Sequence, residues 1–213
     1  MRNISKQTEP QVLRDSKAIW QIALESNPTD TNKNKYSHPE IKAAIREECW
    51  NKCVYCESKV GHNCPGDIEH KIPKTHRVDL TFEWNNMTLS CSECNRRKGD
   101  YYDSSCMFLD PYIDDVESLL IHLGPIVLSK GDNPRCEITI RILELDSKSR
   151  SQLVDRKYEK LENVRNLIAR IHSTTNTTLK SFLIKELYEM SAVSAEFSAM
   201  VKEFVAKCGI SQA

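Results

Sequence analysis

Two Cys-x-x-Cys motifs, Cys53–Cys56 and Cys91–Cys94, constrain the fold of this chain more than any other feature. Nine of the 213 residues are cysteine, and pairs at this spacing indicate metal binding more often than disulfides where thiols stay reduced. Four thiolates from two such motifs can close a tetrahedral Zn²⁺ site that leaves no position open for chemistry. The sequence therefore predicts structural zinc. Its four ligands would be Cys53, Cys56, Cys91 and Cys94.

Three other interpretations of these cysteines stay open at this point. A Cys-x-x-Cys pair can be a redox centre, although no thioredoxin-like βαβ pattern surrounds either motif. The thiols could also be ordinary core residues, and His62 with Cys64 forms a rival ligand pair. The 34 residues between the motifs, 57–90, exceed the roughly 15 to 20 of a simple zinc finger. We therefore expect that the segment 57–90 is a functional insert and that the zinc site fixes its two ends.

Composition excludes several classes of protein. Thirty basic and thirty acidic side chains cancel, and hydrophobic residues make up 39% of the chain, so disorder is not expected. No segment approaches the roughly 18 apolar residues of a membrane span, and residues 1–10 lack the apolar centre of a signal peptide. We expect a cytoplasmic protein. The formal net charge of zero argues against strong nucleic-acid binding by the chain alone. Such a role would need a local patch of positive charge, a bound cation or a protein partner.

The sequence divides into three parts. Residues 1–36 form a polar arm with one helix predicted at about Val12–Leu24, which we interpret as a docking helix. Residues 37–105 begin with a helix signalled by His38-Pro39 and contain both cysteine motifs, so they form the predicted zinc-stabilised core. Residues 106–213 are predicted to form a β-hairpin and C-terminal helices that bind a partner.

Within the last part, apolar residues predict strands at 125–129 and 137–143, the second with alternating isoleucines, and a turn at 130–135 that joins them. Asp146-Ser147 can cap a long helix that the polar segment 173–178 ends. Two further helices follow it. The overall expectation is an α+β protein.

The insert between the cysteine motifs carries the groups that phosphodiester hydrolysis requires, namely a base for water and a cation at the phosphate. Glu69 offers an oxygen ligand next to the imidazole of His70. Successive strand residues face opposite ways, so a bulge or a strand end must let these two side chains converge. Asn95 follows Cys94 directly, and one carboxylate with one amide oxygen suits Mg²⁺ or Mn²⁺.

Basic side chains surround these groups and are candidates for contacts with nucleic-acid phosphates. Two flank the candidate base, and three follow Asn95 on a predicted short helix. The five candidates are Lys71, Lys74, Arg96, Arg97 and Lys98. In other proteins such a basic run is usually just a solvated helix face.

Taken in order, Cys-x-x-Cys, Glu-His-x-x-Pro, Asn-Met and Cys-x-x-Cys-Asn-x-x-Lys-Gly-Asp resemble an HNH endonuclease with a zinc-stabilised ββα-metal fold, over about residues 50–101. This resemblance implies that His70 is the general base and that Glu69 binds the catalytic metal, where many members carry aspartate. It also implies that Asn95 is the second metal ligand. Asn86 would orient the base, with Asn85 beside it as the competing assignment.

With Cys-Val-Tyr-Cys-Glu57, Glu83-Trp-Asn-Asn-Met87 and Phe108-Leu-Asp-Pro-Tyr112 added to these motifs, the chain is also similar, over about residues 37–165, to the HNH nuclease family of Septu anti-phage systems. That resemblance implies an ATPase partner, PtuA, and in some settings an accompanying retron. The expected function is therefore Mg²⁺- or Mn²⁺-dependent cleavage of nucleic acid, with DNA favoured over RNA. The alternative is a non-catalytic zinc module that binds nucleic acid or recruits a partner.

Overall fold

The computed structural model describes residues 1–61 and 65–209. Helices alternate with two small antiparallel sheets of two strands each, so the predicted α+β class is confirmed. The helices are α1 (Gln11–Ser26), α2 (Asp30–Lys33), α3 (Pro39–Glu48), α4 (Ser92–Lys98), α5 (Val116–Leu119), α6 (Pro134–Leu143), α7 (Ser151–Ser173), α8 (Thr177–Ser191) and α9 (Ser198–Lys207). The strands are β1 (Asp67–His70), β2 (Met87–Ser90), β3 (Leu120–Leu123) and β4 (Ile126–Ser129).

Strands β1 and β2 and helix α4 form the predicted ββα unit. The strands pair continuously in antiparallel register, with Asp67 opposite Ser90 and His70 opposite Met87. Helix α4 follows β2 at once because the Cys91 sulfur accepts a hydrogen bond from the Cys94 amide and caps the first turn. The second cysteine motif therefore starts the helix that faces β1.

Helix α3 begins where the sequence signals predict. The His38 side chain accepts a hydrogen bond from the Glu40 amide, and Pro39 occupies the first turn. Ile41, Ile45 and Cys49 are buried along one face, and the helix packs against β2. This helix therefore adds buried apolar side chains to the core beneath β2, next to the cysteine motifs.

The N-terminal part packs on the ββα unit. Leu13 and Leu24 of α1 are buried, and the Trp20 ring lies edge-on to Phe82 at 5.6 Å between centroids. The Lys6 ammonium donates to the carbonyl oxygen of Met87 at 2.8 Å and lies 3.8 Å from the centre of the Trp84 ring. The helix predicted here is confirmed, whereas its role in docking a partner stays a prediction.

The prediction of a strand at 137–143 is wrong. These residues lie inside α6, because Asn133 caps the amides of Arg135 and Cys136 and Pro134 occupies the first turn. The alternating isoleucines suggested a strand, but the buried positions follow helical spacing. Those positions are Cys136, Thr139, Ile140 and Leu143.

A β-hairpin does form, and the strand predicted at 125–129 is confirmed as β4, but its partner is not the segment we expected. β4 pairs with β3, which precedes it, and Gly124 makes the connecting turn at φ +62°. The segment 130–135 leads into α6 and is not the turn between strands.

Helices α7, α8 and α9 pack together at the C-terminal end, and α9 also packs on β3. Ser147 caps a short 3₁₀ turn that runs into α7, and Asn176 caps α8 after the predicted break. The Glu57 carboxylate, just after the first cysteine motif, accepts hydrogen bonds from Ser198 and from the Ala199 amide. The helical end is thereby tied to the zinc-site segment.

Within the part of the chain that the structure describes, none of the helices combines the length and apolar character that crossing a membrane requires.

Candidate active site and metal centre

The four predicted cysteines come together in one buried cluster. Their sulfurs all lie within 4.8 Å of one another, and those of Cys56 and Cys91 are 3.8 Å apart. Four sulfurs at about 2.3 Å from one Zn²⁺ in tetrahedral geometry would be about 3.8 Å apart, which agrees with this distance. The residues thus fit a closed structural zinc site. His62 and Cys64, the rival pair, lie outside the described residues.

A buried arginine, which the sequence analysis missed, lies against this cluster. The Arg150 guanidinium is 3.4 Å from the Cys94 sulfur and donates to the carbonyl oxygen of Leu143 at 2.8 Å. Four thiolates around Zn²⁺ carry a net charge of −2, so a nearby cation stabilises them in a buried setting. Arg150 lies far from both motifs along the chain, and no spacing rule would have indicated it.

The candidate base His70 ends strand β1 and is buried. Its Nε2 lies 2.9 Å from the carbonyl oxygen of Thr81. A carbonyl oxygen only accepts hydrogen bonds, so Nε2 carries the proton and Nδ1 of the neutral ring carries the lone pair. Burial lowers the pKa of His70 to about 4, against the opposing effect of the bond to Thr81. The ring is therefore neutral at pH 7.

Asn86 fixes the backbone around this histidine. Its Oδ1 accepts from the Ile72 amide at 2.8 Å, and its Nδ2 donates to the carbonyl oxygens of Ile72 at 3.0 Å and Leu80 at 3.2 Å. Leu80 immediately precedes Thr81, the ring's partner. Asn86 is buried whereas Asn85 is exposed, and these contacts favour Asn86 over Asn85 as the residue that orients the base.

The acidic side of β1 contains one residue that sequence reasoning missed. Asp67 and Glu69 are two positions apart in the strand and so share one face. The Asn95 Nδ2 donates to the Asp67 Oδ2 at 3.0 Å, so the amide predicted to share a metal with Glu69 is paired with Asp67. The two-residue periodicity of a strand could have identified Asp67.

Glu69 itself is buried and contacts other groups. Its Oε1 lies 2.7 Å from the Lys98 ammonium and 3.4 Å from the Tyr55 hydroxyl. Burial raises the pKa of Glu69, and Lys98 opposes this shift. Lys98 also donates to the backbone carbonyl oxygen of His70 at 3.0 Å.

The contacts of β1 alternate as expected for a strand. Glu69 faces Tyr55 and Lys98, whereas the His70 ring lies edge-on to Tyr36 at 4.6 Å between centroids. β1 pairs with β2 without a bulge as far as His70, so the side chains of Glu69 and His70 face opposite sides of the strand. The oxygen donors of Asp67, Glu69 and Asn95 are of the kind that Mg²⁺ and Mn²⁺ prefer.

Two of the five predicted phosphate-binding residues lie on the loop after β1. The Lys71 ammonium pairs with the Asp110 carboxylate at 2.6 Å. The Lys74 ammonium contacts the Tyr36 hydroxyl at 2.8 Å, beside the His70 ring. Both cations have protein partners, and phosphate contact by either stays a prediction.

The other three predicted phosphate-binding residues lie on α4 and differ in exposure. The Arg96 side chain is 66% exposed and pairs with Glu93 at 2.8 Å. Arg97 is largely covered and pairs with Glu93 at 2.7 Å and with Glu144. Lys98 is buried beside Glu69, so Arg96 is the most accessible of the three.

Comparison with protein families gives a match over residues 53–101, which contain both cysteine motifs, β1, β2 and α4, to the model described as HNH endonuclease. Residues 53–101 are an HNH endonuclease domain. The four clustered cysteines, the candidate base and the candidate metal ligands all lie inside this HNH domain.

The chain is also similar to curated relatives. It is 26% identical over 200 residues to Septu protein PtuB of Bacillus thuringiensis, which covers 82% of this chain and 77% of that protein. It is 27% identical over 125 residues to Septu protein PtuB of Bacillus mycoides strain KBAB4, covering 48% of this chain and 42% of that protein. The HNH domain together with this similarity indicates a nuclease related to Septu proteins.

Proposed function

We propose that this chain is a Mg²⁺- or Mn²⁺-dependent endonuclease that cleaves nucleic acid at the His70 site. The observation that carries the proposal is the state of the His70 ring. Its Nε2 is committed to the Thr81 carbonyl oxygen and its Nδ1 carries the lone pair, at the end of the strand that holds Asp67 and Glu69. A neutral imidazole with one fixed tautomer is a ready general base.

In this proposal His70 accepts a proton from a water molecule at Nδ1. The hydrogen bond from Nε2 to Thr81 holds the neutral ring in the Nε2–H tautomer until Nδ1 accepts the proton, and both nitrogens then carry a proton. Asn86 acts indirectly. Its side chain holds the backbone of Ile72, which follows His70, and of Leu80, which precedes the ring's partner Thr81. The pKa of about 4 keeps the base unprotonated well below neutral pH.

Asp67, Glu69 and Asn95 would hold the divalent ion, which when bound supplies positive charge at the scissile phosphate and the departing 3′ oxygen. Asp67 joins the two ligands inferred from sequence because it already contacts the Asn95 amide. The expected products carry a 5′-phosphate and a 3′-hydroxyl. The zinc site, closed by four thiolates, stabilises the fold and takes no part in the reaction.

We further propose that the substrate is DNA rather than RNA and that an ATPase partner of the PtuA type brings the nuclease to it in the cytoplasm. The formal net charge of zero supports weak intrinsic affinity for nucleic acid, to which Arg96, Lys71 and Lys74 would contribute contacts. Residues 106–213 are the proposed partner-binding part, with 1–36 as a docking segment. The similarity to Septu protein PtuB supports a role in anti-phage defence.

A nicking assay with supercoiled plasmid tests the proposal. The zinc-loaded chain is incubated with Mg²⁺, with Mn²⁺, without added divalent ion, and with EDTA, while zinc content is followed in parallel. Cleavage that depends on Mg²⁺ or Mn²⁺ at constant zinc content is the expected result. Matched RNA substrates identify the preferred nucleic acid, and added ATPase partner tests whether the chain needs recruitment.

Salt-dependent binding without cleavage, under every metal condition and with the partner present, would instead favour the non-catalytic zinc module. The slope of log affinity against log salt reports the number of phosphates neutralised, and a steep slope for the isolated chain would contradict the weak-affinity argument.

A further inference from the structure

Lys98 occupies an unusual position for a lysine on a short helix. Only 1% of its side chain is exposed, and its ammonium lies 2.7 Å from the Glu69 Oε1 and donates to the His70 carbonyl oxygen at 3.0 Å. The charge is thus buried between the proposed metal ligand and the proposed base. A lysine that contacts phosphates needs its ammonium at the surface, which this geometry does not provide.

A divalent cation at Asp67, Glu69 and Asn95 would compete with this ammonium. The Glu69 carboxylate is only 4% exposed, and one cationic partner already satisfies its charge. A second, doubly charged cation a few Å from Lys98 would be repelled strongly, because the surroundings screen little. Either Lys98 leaves Glu69 when the metal arrives, or the metal binds weakly.

We propose that Lys98 is a built-in counter-ion that holds the Glu69 carboxylate in the metal-free protein and must be displaced from it when the divalent ion binds. Lys98 is then a positioning residue, and it limits how tightly the site binds metal. This inference rests on the proposed function, because it takes Glu69 as a ligand of the divalent ion. It reassigns Lys98 from phosphate contact to control of the metal site.

The first test measures Mn²⁺ binding by electron paramagnetic resonance for the wild type and for Lys98→Gln, both with zinc bound. Glutamine keeps an N–H donor on a shorter side chain but carries no charge, so the variant removes the positive charge. We expect Lys98→Gln to bind Mn²⁺ at least about tenfold more tightly, since a neighbouring positive charge is removed. Glu69→Gln should weaken binding in both backgrounds.

Arg96→Gln is the matched control. It removes one positive charge from the same helix, but from a side chain that is 66% exposed and paired with Glu93. Its Mn²⁺ affinity should change less than about twofold, because exposed charges are screened. An equal gain in both variants would overturn the specific role of Lys98.

A second measurement uses the unmodified protein, so it is independent of how well the variant folds. Amine-reactive labelling followed by mass spectrometry should show Lys98 protected without divalent ion and more reactive with saturating Mn²⁺. Unchanged labelling despite demonstrated Mn²⁺ binding would overturn the displacement.

The two proposals fail in different ways. Equal Mn²⁺ affinity for wild type and Lys98→Gln, with metal-dependent cleavage intact, would refute the counter-ion role alone. Absence of both Mn²⁺ binding and cleavage in the two proteins would refute the proposed function and the counter-ion role together.

Discussion

The thiol cluster and the acidic face of β1 share helix α4, which carries Cys94, Asn95 and Lys98 within five residues. In the cluster, all four predicted sulfurs lie within 4.8 Å of one another. On the acidic face, the predicted partners Glu69 and Asn95 instead pair with Lys98 and Asp67. Four buried thiols whose sulfurs converge can bind one metal ion together, whereas carboxylates, amides and ammonium groups can each pair with several other groups. Spacing therefore predicts the first site completely and the second only as a set of residues.

The largest expected effect comes from breaking the thiol cluster. Cys53→Ser or Cys94→Ser should lose zinc and unfold the segment 53–101, because structural zinc contributes on the order of 10 kcal/mol to small domains of this type. Thermal unfolding and zinc content by mass spectrometry measure the result. Cys208→Ser, at an exposed thiol, is the control and should retain both. A Cys94→Ser protein with normal zinc content and melting temperature would contradict the assignment.

The next effect comes from removing the proposed base at the end of β1, which leaves the thiol cluster unchanged. His70→Ala should reduce cleavage about 100- to 10,000-fold, the usual contribution of a general base, while zinc content stays at the wild-type level. Initial rates of plasmid nicking give the measurement. His172→Ala, at an exposed position in α7, should keep the full rate. If His70→Ala cleaves at the wild-type rate, another residue is the base.

Asn86 and the neighbouring Asn85 allow a sharper comparison within one turn. Asn86→Ala should lower the free energy of unfolding by about 1–3 kcal/mol, since it leaves buried backbone groups of Ile72 and Leu80 without partners. It should also slow cleavage. Asn85→Ala, at an exposed side chain, should change stability by less than about 0.5 kcal/mol. Urea unfolding of the two variants provides the test, and equal effects would remove the basis for choosing Asn86.

The last predicted effect concerns pH and acts only over a narrow pH range. Burial lowers the pKa of His70 in the folded state to about 4, so below pH 6.5 the unfolded chain binds a proton that the folded chain excludes. This contribution to stability is complete above pH 6.5 and is lost as pH falls toward 4. Between pH 7 and pH 5 it should amount to about 2 kcal/mol.

His70→Leu should therefore lose less stability than the wild type over this range, as measured by urea unfolding at both pH values without added divalent ion. The buried His122, whose pKa is lowered to about 3, contributes equally to both proteins and cancels from the difference. Identical pH dependence of the two proteins would contradict a lowered pKa at His70.

The ββα unit was predicted from the resemblance of its motifs to HNH endonucleases, whereas local signals predicted individual helices. His38-Pro39 marked the start of α3, and the second cysteine motif marked the start of α4. The prediction for 137–143 was wrong since alternating isoleucines are compatible with a strand and with a half-buried helix. Asn133 and Pro134 cap the start of a helix, which excludes the strand. From the sequence alone, we interpreted these two residues as part of a turn.

Long-range pairings were beyond what the sequence could provide. Arg150 reaches the Cys94 sulfur from the start of α7, and Glu57 reaches the start of α9. The sequence predicts phosphate contact for Lys98, but in the folded chain its ammonium pairs with the Glu69 carboxylate. The sequence shows which side chains are charged. Which of them are buried, and which groups they pair with, depends on how the elements pack.

The adjacency of Cys94 and Asn95 has a consequence for how such a nuclease matures. Helix α4 is only seven residues long, and its first turn is fixed by thiols of the second motif. A newly made chain that has not acquired zinc would leave Asn95 and Lys98 without a fixed position opposite β1. Under the proposed function, the chain would cleave nucleic acid only after its thiol cluster binds zinc, and the zinc-free chain would be inactive.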